Sequence, residues 1–213
     1  METQVYLIRH GETDWNKEKR VQGHVDIPLS SIGIEQARCL AERFVGEGLH
    51  GIYTSDLQRA VETAQTIAKR AEAPLSVQAY KDLRERDMGE WEGSLVADIK
   101  AQHPGAWERV WHDGGEFGLE STEDLKGRIL HRLEKLVRNH PGERIAVVSH
   151  GGGINSVLAA ISQGIHGPRT QIGNTSVTHL IFHPQTGWRI HRIGCMNHLQ
   201  EGGTPLASER SRS

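Results

Sequence analysis

Cysteine is nearly absent from this chain of 213 residues, where Cys39 and Cys195 are the only two. Two thiols cannot build a disulfide framework, so free thiols in a reducing compartment, the cytoplasm, are expected. An excess of charge is missing too. The 25 Lys and Arg against 27 Asp and Glu leave a net charge of −2, which argues against nucleic acid or an anionic membrane surface as partner. Any anion bound here must meet a local basic cluster. Long apolar runs are equally scarce: the run at 5–8 is too short for a leader, and no stretch approaches the roughly 18 residues of a spanning helix. The 13 histidines include no His-Glu-x-x-His or comparable ligand spacing, so neither a metal nor a cofactor is expected. With 36% hydrophobic and 24% charged residues, one globular domain over 1–200 with a sizeable core is expected. The Gly-, Ser-, Arg- and Glu-rich stretch 201–213 reads as a disordered tail.

What is present is a regular exchange of strand-like runs and helical faces. Residues 5–8 form a short apolar run that leads into Arg9-His10-Gly11. Ser30 or Ser31 can cap a helix whose apolar face carries Ile34, Ala37, Ala41, Phe44 and Val45, stopped by Gly46 and Gly48. Residues 52–54 read as a buried strand, and Ser55-Asp56-Leu57-Gln58 as a capping box. The helix behind it presents Leu57, Ala60, Val61, Ala64, Ile67 and Ala68 on one side, with Arg59 in its first turn. Pro74 breaks the chain before a strand at 75–77. From 81 to 118 the pattern dissolves into Gly, Trp and charge around a short helical piece at 96–100. An insert of this kind, here about 87–120, is expected to be a functional lid. Ser121 opens a helix bearing Leu125, Ile129, Leu133, Leu136 and Val137. Residues 145–149 then repeat the opening logic, a buried strand followed by His150 and three glycines. Residues 177–182 and 188–193 alternate as an antiparallel pair about Thr186-Gly187, leaving His179, His183, His191 and His198 at an edge or surface. The fold class expected is α/β: a three-layer α/β/α sandwich with a mostly parallel central sheet and an antiparallel edge.

The chemistry is concentrated where two strands end in His-Gly. A single histidine at such a place often does no more than cap its strand. Two of them, His10 and His150, opening into one crevice at the carboxyl ends of parallel strands, make a site. Glycine after each allows close backbone approach, and Gly151 to Gly153 at a helix start offer free N–H groups to an anion. Arg59 alone is a surface arginine. Together with Arg9 and both histidines it becomes a phosphate clamp, because guanidinium grips phosphoryl oxygens in bidentate fashion. The acid such a site needs lies in Leu83-Arg84-Glu85-Arg86-Asp87-Met88-Gly89-Glu90, where the pattern does not choose between Glu85 and Glu90. In the insert, Trp91 reads as core packing. Trp107 and Trp111 suit either packing or a wall against the organic part of a substrate, and Trp15 the mouth of the site.

Leu7-Ile8-Arg9-His10-Gly11-Glu12-Thr13 resembles the signature of the histidine phosphatase superfamily, the phosphoglycerate-mutase-like proteins. Tyr53-Thr54-Ser55-Asp56-Leu57-Gln58-Arg59-Ala60, Leu83-Arg84-Glu85 with Gly89-Glu90-Trp91-Glu92-Gly93, Val147-Val148-Ser149-His150-Gly151 and Asn174-Thr175-Ser176-Val177 resemble its later segments, in family order. The resemblance implies that His10 takes the phosphoryl group as phosphohistidine while Arg9, Arg59 and His150 hold its oxygens. It makes Glu85 the acid, under some upward pressure on its pKa from burial or the phosphate. Asn16, Gln22, Gly23 and Gly151 are implied as further substrate contacts.

The expected activity is metal-independent hydrolysis of a small phosphate ester, with broad-specificity phosphatases as the nearest branch. Mutase-type phosphoryl transfer is the alternative. It is disfavoured because Asp87-Met88-Gly89 leads at once into Trp91-Glu92-Gly93, without the long basic insert that the mutases carry after the acid. A phosphate-binding module without catalysis is the third reading, and the presence of all five groups argues against it. A small-molecule phosphate ester is the expected partner, with a homodimer through the late edge strands allowed.

Overall fold

The computed structural model describes residues 1–112, 114–167 and 170–200; the tail expected at 201–213 lies outside them. Six strands, β1 (Thr3–Arg9), β2 (Gly51–Ser55), β3 (Val77–Tyr80), β4 (Arg144–Ser149), β5 (Val177–His183) and β6 (Gly187–Cys195), form one sheet in the order β3-β2-β4-β1-β5-β6. The first four run parallel; β5 and β6 continue the sheet antiparallel on one side. Between them run α1 (Asp14–Glu18), α2 (Ser31–Arg43), α3 (Gln58–Ala68), α4 (Val96–Gln102), α5 (Ala106–Val110), α6 (Thr122–Asn139) and α7 (Gly151–Ile161).

The pleat divides the central strands between two cores. Val5 and Leu7 of β1, with Ile145 and Val147 of β4, pack on the apolar faces of α6 and α7. Their neighbours Tyr6, Ile8, Ala146 and Val148 pack on α2 and α3. Three layers result. Burying each large aliphatic side chain contributes about 1.5–3 kcal/mol, and a one-residue register slip would turn both sets to the wrong layer. The register that avoids this pairs Arg9 with Ser149, so the next residue on each strand, His10 and His150, leaves the sheet at one end.

Local expectations fail where distant contacts decide. Ser30 caps α2, its hydroxyl accepting the Gly33 N–H at 3.0 Å. Ile34 and Val45, expected inside, are 43% and 47% exposed, and Leu40 fills the core in their place. The box at Ser55 does not form. Leu57 is the N-cap of α3 without a side-chain cap, and Asp26 reaches in from another loop to accept the Gln58 N–H at 2.7 Å. β3 begins at Val77, two residues after the expected start.

The insert is ordered rather than irregular. Two single 3₁₀ turns, Gly89–Trp91 and Glu116–Gly118, join α4 and α5 around a third core of Val21, Met88, Trp91, Ile99, Val110 and Leu119. Trp91 is buried, stacked on Phe117 with ring centroids 4.9 Å apart. Gly89 holds φ +47°, and a Cβ there would lie 2.6 Å from the backbone of Phe117 and Gly118. Helices of five and seven residues are too short to leave a periodic signature.

Candidate active site

His10 stands at the end of β1, 3% exposed, its N–H donated to the Ser149 carbonyl at 3.0 Å. Its Nδ1 lies 2.7 Å from the Gly11 carbonyl, a contact that needs the proton on Nδ1 and leaves Nε2 with a free lone pair. Burial, then the Arg59 and Arg9 guanidiniums, hold its pKa well below that of an ordinary histidine, against a small opposing pull from Gly11. The imidazole is neutral, as a nucleophile must be. His150, the N-cap of α7, is fully buried with its ring centroid 5.0 Å from that of His10. Burial, Arg59, His10 and Arg9 depress its pKa in the same direction. Neither of its ring nitrogens has a hydrogen-bond partner among the described residues.

The clamp is built from both sides. Arg59 comes from the first turn of α3 and is 1% exposed. Its Nη2 and Nη1 donate to the carbonyls of Gly23 (2.8 Å) and Val25 (2.9 Å), which fix the plane of the guanidinium. Burial pulls its pKa down to about 10 while Glu85 and Asp26 oppose the fall, so it stays cationic at neutral pH. Arg9 donates Nη1 to the Ile172 carbonyl at 2.7 Å. Burial lowers its pKa and Glu85 partly restores it.

Glu85 corrects one expectation. The glycine-rich start of α7 was to offer its N–H groups to an incoming anion; instead Gly152 N and Gly153 N donate to Glu85 Oε2 (3.0 Å) and Oε1 (3.2 Å). Arg86 N adds a third donor at 2.8 Å. Of the three glycines, Gly152 is the one this contact demands, because a Cβ there would meet Glu85 Oε1 at 2.4 Å. Gly151 would place a Cβ at an ordinary 3.6 Å from Arg9. Glu90, the other candidate, is exposed and lines a different cavity, beside Trp91.

Arg9, His10, Asn16, Gln22, Gly23, Arg59 and Glu85 all open onto one cavity of about 250 Å³, as seven of the nine residues singled out from sequence. The other two, His150 and Gly151, are not among its lining residues: the His150 ring lies 5.0 Å from that of His10, and Gly151 follows it at the start of α7. The rest of the cavity's lining mixes two cations, Lys19 and Arg20, with Trp15, Val21, Met88, Val96, Trp107 and Trp111. Arg20 lies over Trp15 at 5.6 Å and Arg86 over Trp111 at 5.4 Å. Sequence reasoning missed Asn174, whose Nδ2 donates to the His10 carbonyl (3.1 Å) and Asn16 Oδ1 (3.2 Å). The Asn at the head of the late strand was the available signal.

Of the histidines expected at an edge or surface, His191 is exposed on the edge strand β6, while His179, His183 and His198 are part-buried. Burial, then neighbouring cations, lowers the pKa of His179 and of His198 to about 4 each. His10 and His150 are depressed as well. All four are therefore neutral in the fold and take up protons on unfolding below the free value near 6.5. Stability is full above pH 6.5 and falls as pH drops toward 4. Thermal midpoints measured from pH 7.5 to 4.5 are expected to fall steadily across that window; a flat profile would contradict the burial of these rings.

Residues 5–196 match the family described as the histidine phosphatase superfamily, branch 1. The chain belongs to that superfamily. Phosphoglycerate mutase-like protein 4 of Arabidopsis thaliana is 36% identical to this histidine phosphatase over 205 residues, covering 94% of this chain and 88% of that one. A metal-independent phosphoserine phosphatase of the same plant is 32% identical over 206 residues, covering 94% and 85%. The solved mycobacterial glucosyl-3-phosphoglycerate phosphatase complexed with VO3 superposes with a TM-score of 0.81 at 31% identity, covering 90% of this chain and 99% of the other. This member of the superfamily is an enzyme, a phosphoric monoester hydrolase. Among the described residues no helix is long and apolar enough to cross a membrane, and no group of three or more His, Cys, Asp or Glu is placed to hold a metal ion.

Proposed function

We propose that this histidine phosphatase hydrolyses a compact phosphate monoester through a phosphohistidine on His10. One observation carries the reading: a neutral imidazole with its Nε2 free, the buried guanidinium of Arg59, the half-buried one of Arg9 and a carboxylate meet at a single cavity. Nε2 attacks phosphorus as the ester P–O bond breaks, and Glu85 delivers a proton to the departing oxygen. Water then attacks phosphorus, the N–P bond breaks, and Glu85 takes the water's proton, leaving orthophosphate and the resting imidazole. Three N–H donors fix where the Glu85 carboxyl group stands for both transfers. Arg9, Arg59 and His150 hold the non-bridging oxygens, which is the main demand of phosphoryl transfer. Asn16, its Oδ1 occupied by Thr13 and Asn174, presents its amide NH₂ to the same group. Gln22, Gly23 and Gly151 complete the contacts.

Hydrolysis is favoured over mutase chemistry by the surroundings of Asp87. That carboxylate accepts the Gly89 N–H at 2.9 Å and lies 3.8 Å from His24 Nδ1, and a carboxylate is a poor grip for that of a sugar acid. The substrate that Trp15, Trp107 and Trp111 suit carries a small apolar or planar organic group. Orthophosphate release from simple monoesters, without a bisphosphate primer, is the expected result; primer-dependent interconversion of phosphoglycerates would reverse the assignment. Turnover is expected to survive EDTA, and activity lost to the chelator and restored by a divalent ion would sink the scheme. The exposed Cys39 and buried Cys195 are free thiols, which supports a cytoplasmic setting. The free edge of β6 is the surface through which a homodimer would form, with sedimentation as its readout.

A further inference from the structure

Glu85 is held in two grips, one of them on its carboxylate. The other is on its backbone. Arg128, on α6, spends all five of its N–H donors in one place. Nη1 donates to the carbonyls of Asp82 (3.0 Å) and Arg84 (2.8 Å), and Nη2 to the carbonyl of Glu85 (2.7 Å). Nε and Nη2 form a fork on Glu120, at 2.6 and 2.7 Å. The side chain is 21% exposed and its Glu120 partner 14%, so solvent does not compete strongly for these bonds. Glu120 in turn accepts the Asp87 N–H at 3.3 Å and so ties down the chain beyond Glu85. His24 Nε2 donates to the same Glu85 carbonyl at 2.9 Å. A lysine, with three donors and no plane, cannot satisfy three carbonyls and a carboxylate fork together.

We propose that Arg128 is the positioning residue for proton transfer by Glu85, an inference that rests on the assignment of Glu85 as the acid above. It turns three successive-segment carbonyls toward α6. That fixes the main chain from which the Glu85 side chain reaches the start of α7, so the carboxylate meets the ester oxygen at one place. Arg128 touches neither the substrate nor the reacting atoms.

The test separates placement of the acid from loss of structure through the leaving group. The alkoxide of 2-phenylethyl phosphate must be protonated as it departs, whereas the phenolate of 4-nitrophenyl phosphate leaves without that help. For Arg128→Lys, kcat/KM on the alkyl ester is expected to fall about tenfold or more, the scale on which a misplaced acid is felt. On the aryl ester it should fall less than about threefold, since the clamp and the nucleophile are untouched. Glu120→Gln, which keeps Arg128 but weakens its fork, should shift the same ratio in the same direction and guards against a first variant that fails to fold. Equal losses on both esters with a lowered Tm, or no loss on either, would overturn the role. Glu85→Gln is the reference arm: if it too fails to discriminate between the esters, the acid assignment falls and the inference with it. If it discriminates and neither Arg128→Lys nor Glu120→Gln does, the inference about Arg128 alone falls.

Discussion

Replacing His10 by Ala is expected to abolish turnover, on the order of 10⁴-fold or more in kcat, as for other covalent nucleophiles. The mechanism leaves no substitute. His150, the other imidazole, is assigned to the phosphoryl oxygens, and of the two rings it is His10 that lines the cavity. The wild-type protein quenched with ³²P-labelled substrate should carry acid-labile, base-stable radioactivity, and His10→Ala should carry none. A variant as active as wild type would return the protein to the class of phosphate-binding modules without catalysis. Binding of orthophosphate should persist in the variant, because Arg9 and Arg59 are held by carbonyls of Ile172, Gly23 and Val25 rather than by His10.

Arg59→Ala carries the second largest effect. Removing one charge-assisted contact to the transferring phosphoryl in a site shielded from water is worth about 3 kcal/mol, roughly 10²-fold in kcat/KM. Arg59 also braces the loop at Gly23, so KM is expected to rise with the fall in kcat. Lysine should not rescue it, since both Nη groups are committed to carbonyls in a planar arrangement that an ammonium cannot copy. Alanine replacement of an exposed lysine such as Lys17 provides the baseline. A loss under about threefold for Arg59→Ala would defeat the claim that it stabilises the transition state.

The parts of this architecture that could be read from the chain are those with a local cause. β1 and β4 are buried on both faces and therefore show as unbroken apolar runs. Arg9, His10 and His150 are visible because they end those runs, and Arg59 because it opens a helix. The acid could not be chosen on local grounds. Glu85 and Glu90 look alike in sequence, and only the approach of Gly152 and Gly153, 67 and 68 residues away, tells them apart. Asn174 and Arg128 escaped for the same reason, acting across 164 and 43 residues on groups with no periodic signature. The α2 face was misjudged because Ile34 and Val45 are apolar but turned outward, while Leu40 packs on Phe44 and the sheet.

The third core has a consequence for how specificity can change. Trp91, Ile99, Val110 and Leu119 pack with Val21, from outside the insert, into one cluster, while Trp107 and Trp111 of the same insert line the cavity that holds His10. Those two rings can therefore be exchanged at the cavity wall without touching the strand ends that hold His10 and His150. The far end of the insert, at Glu120, also grips Arg128 and through it the Glu85 backbone, which ties recognition to the acid.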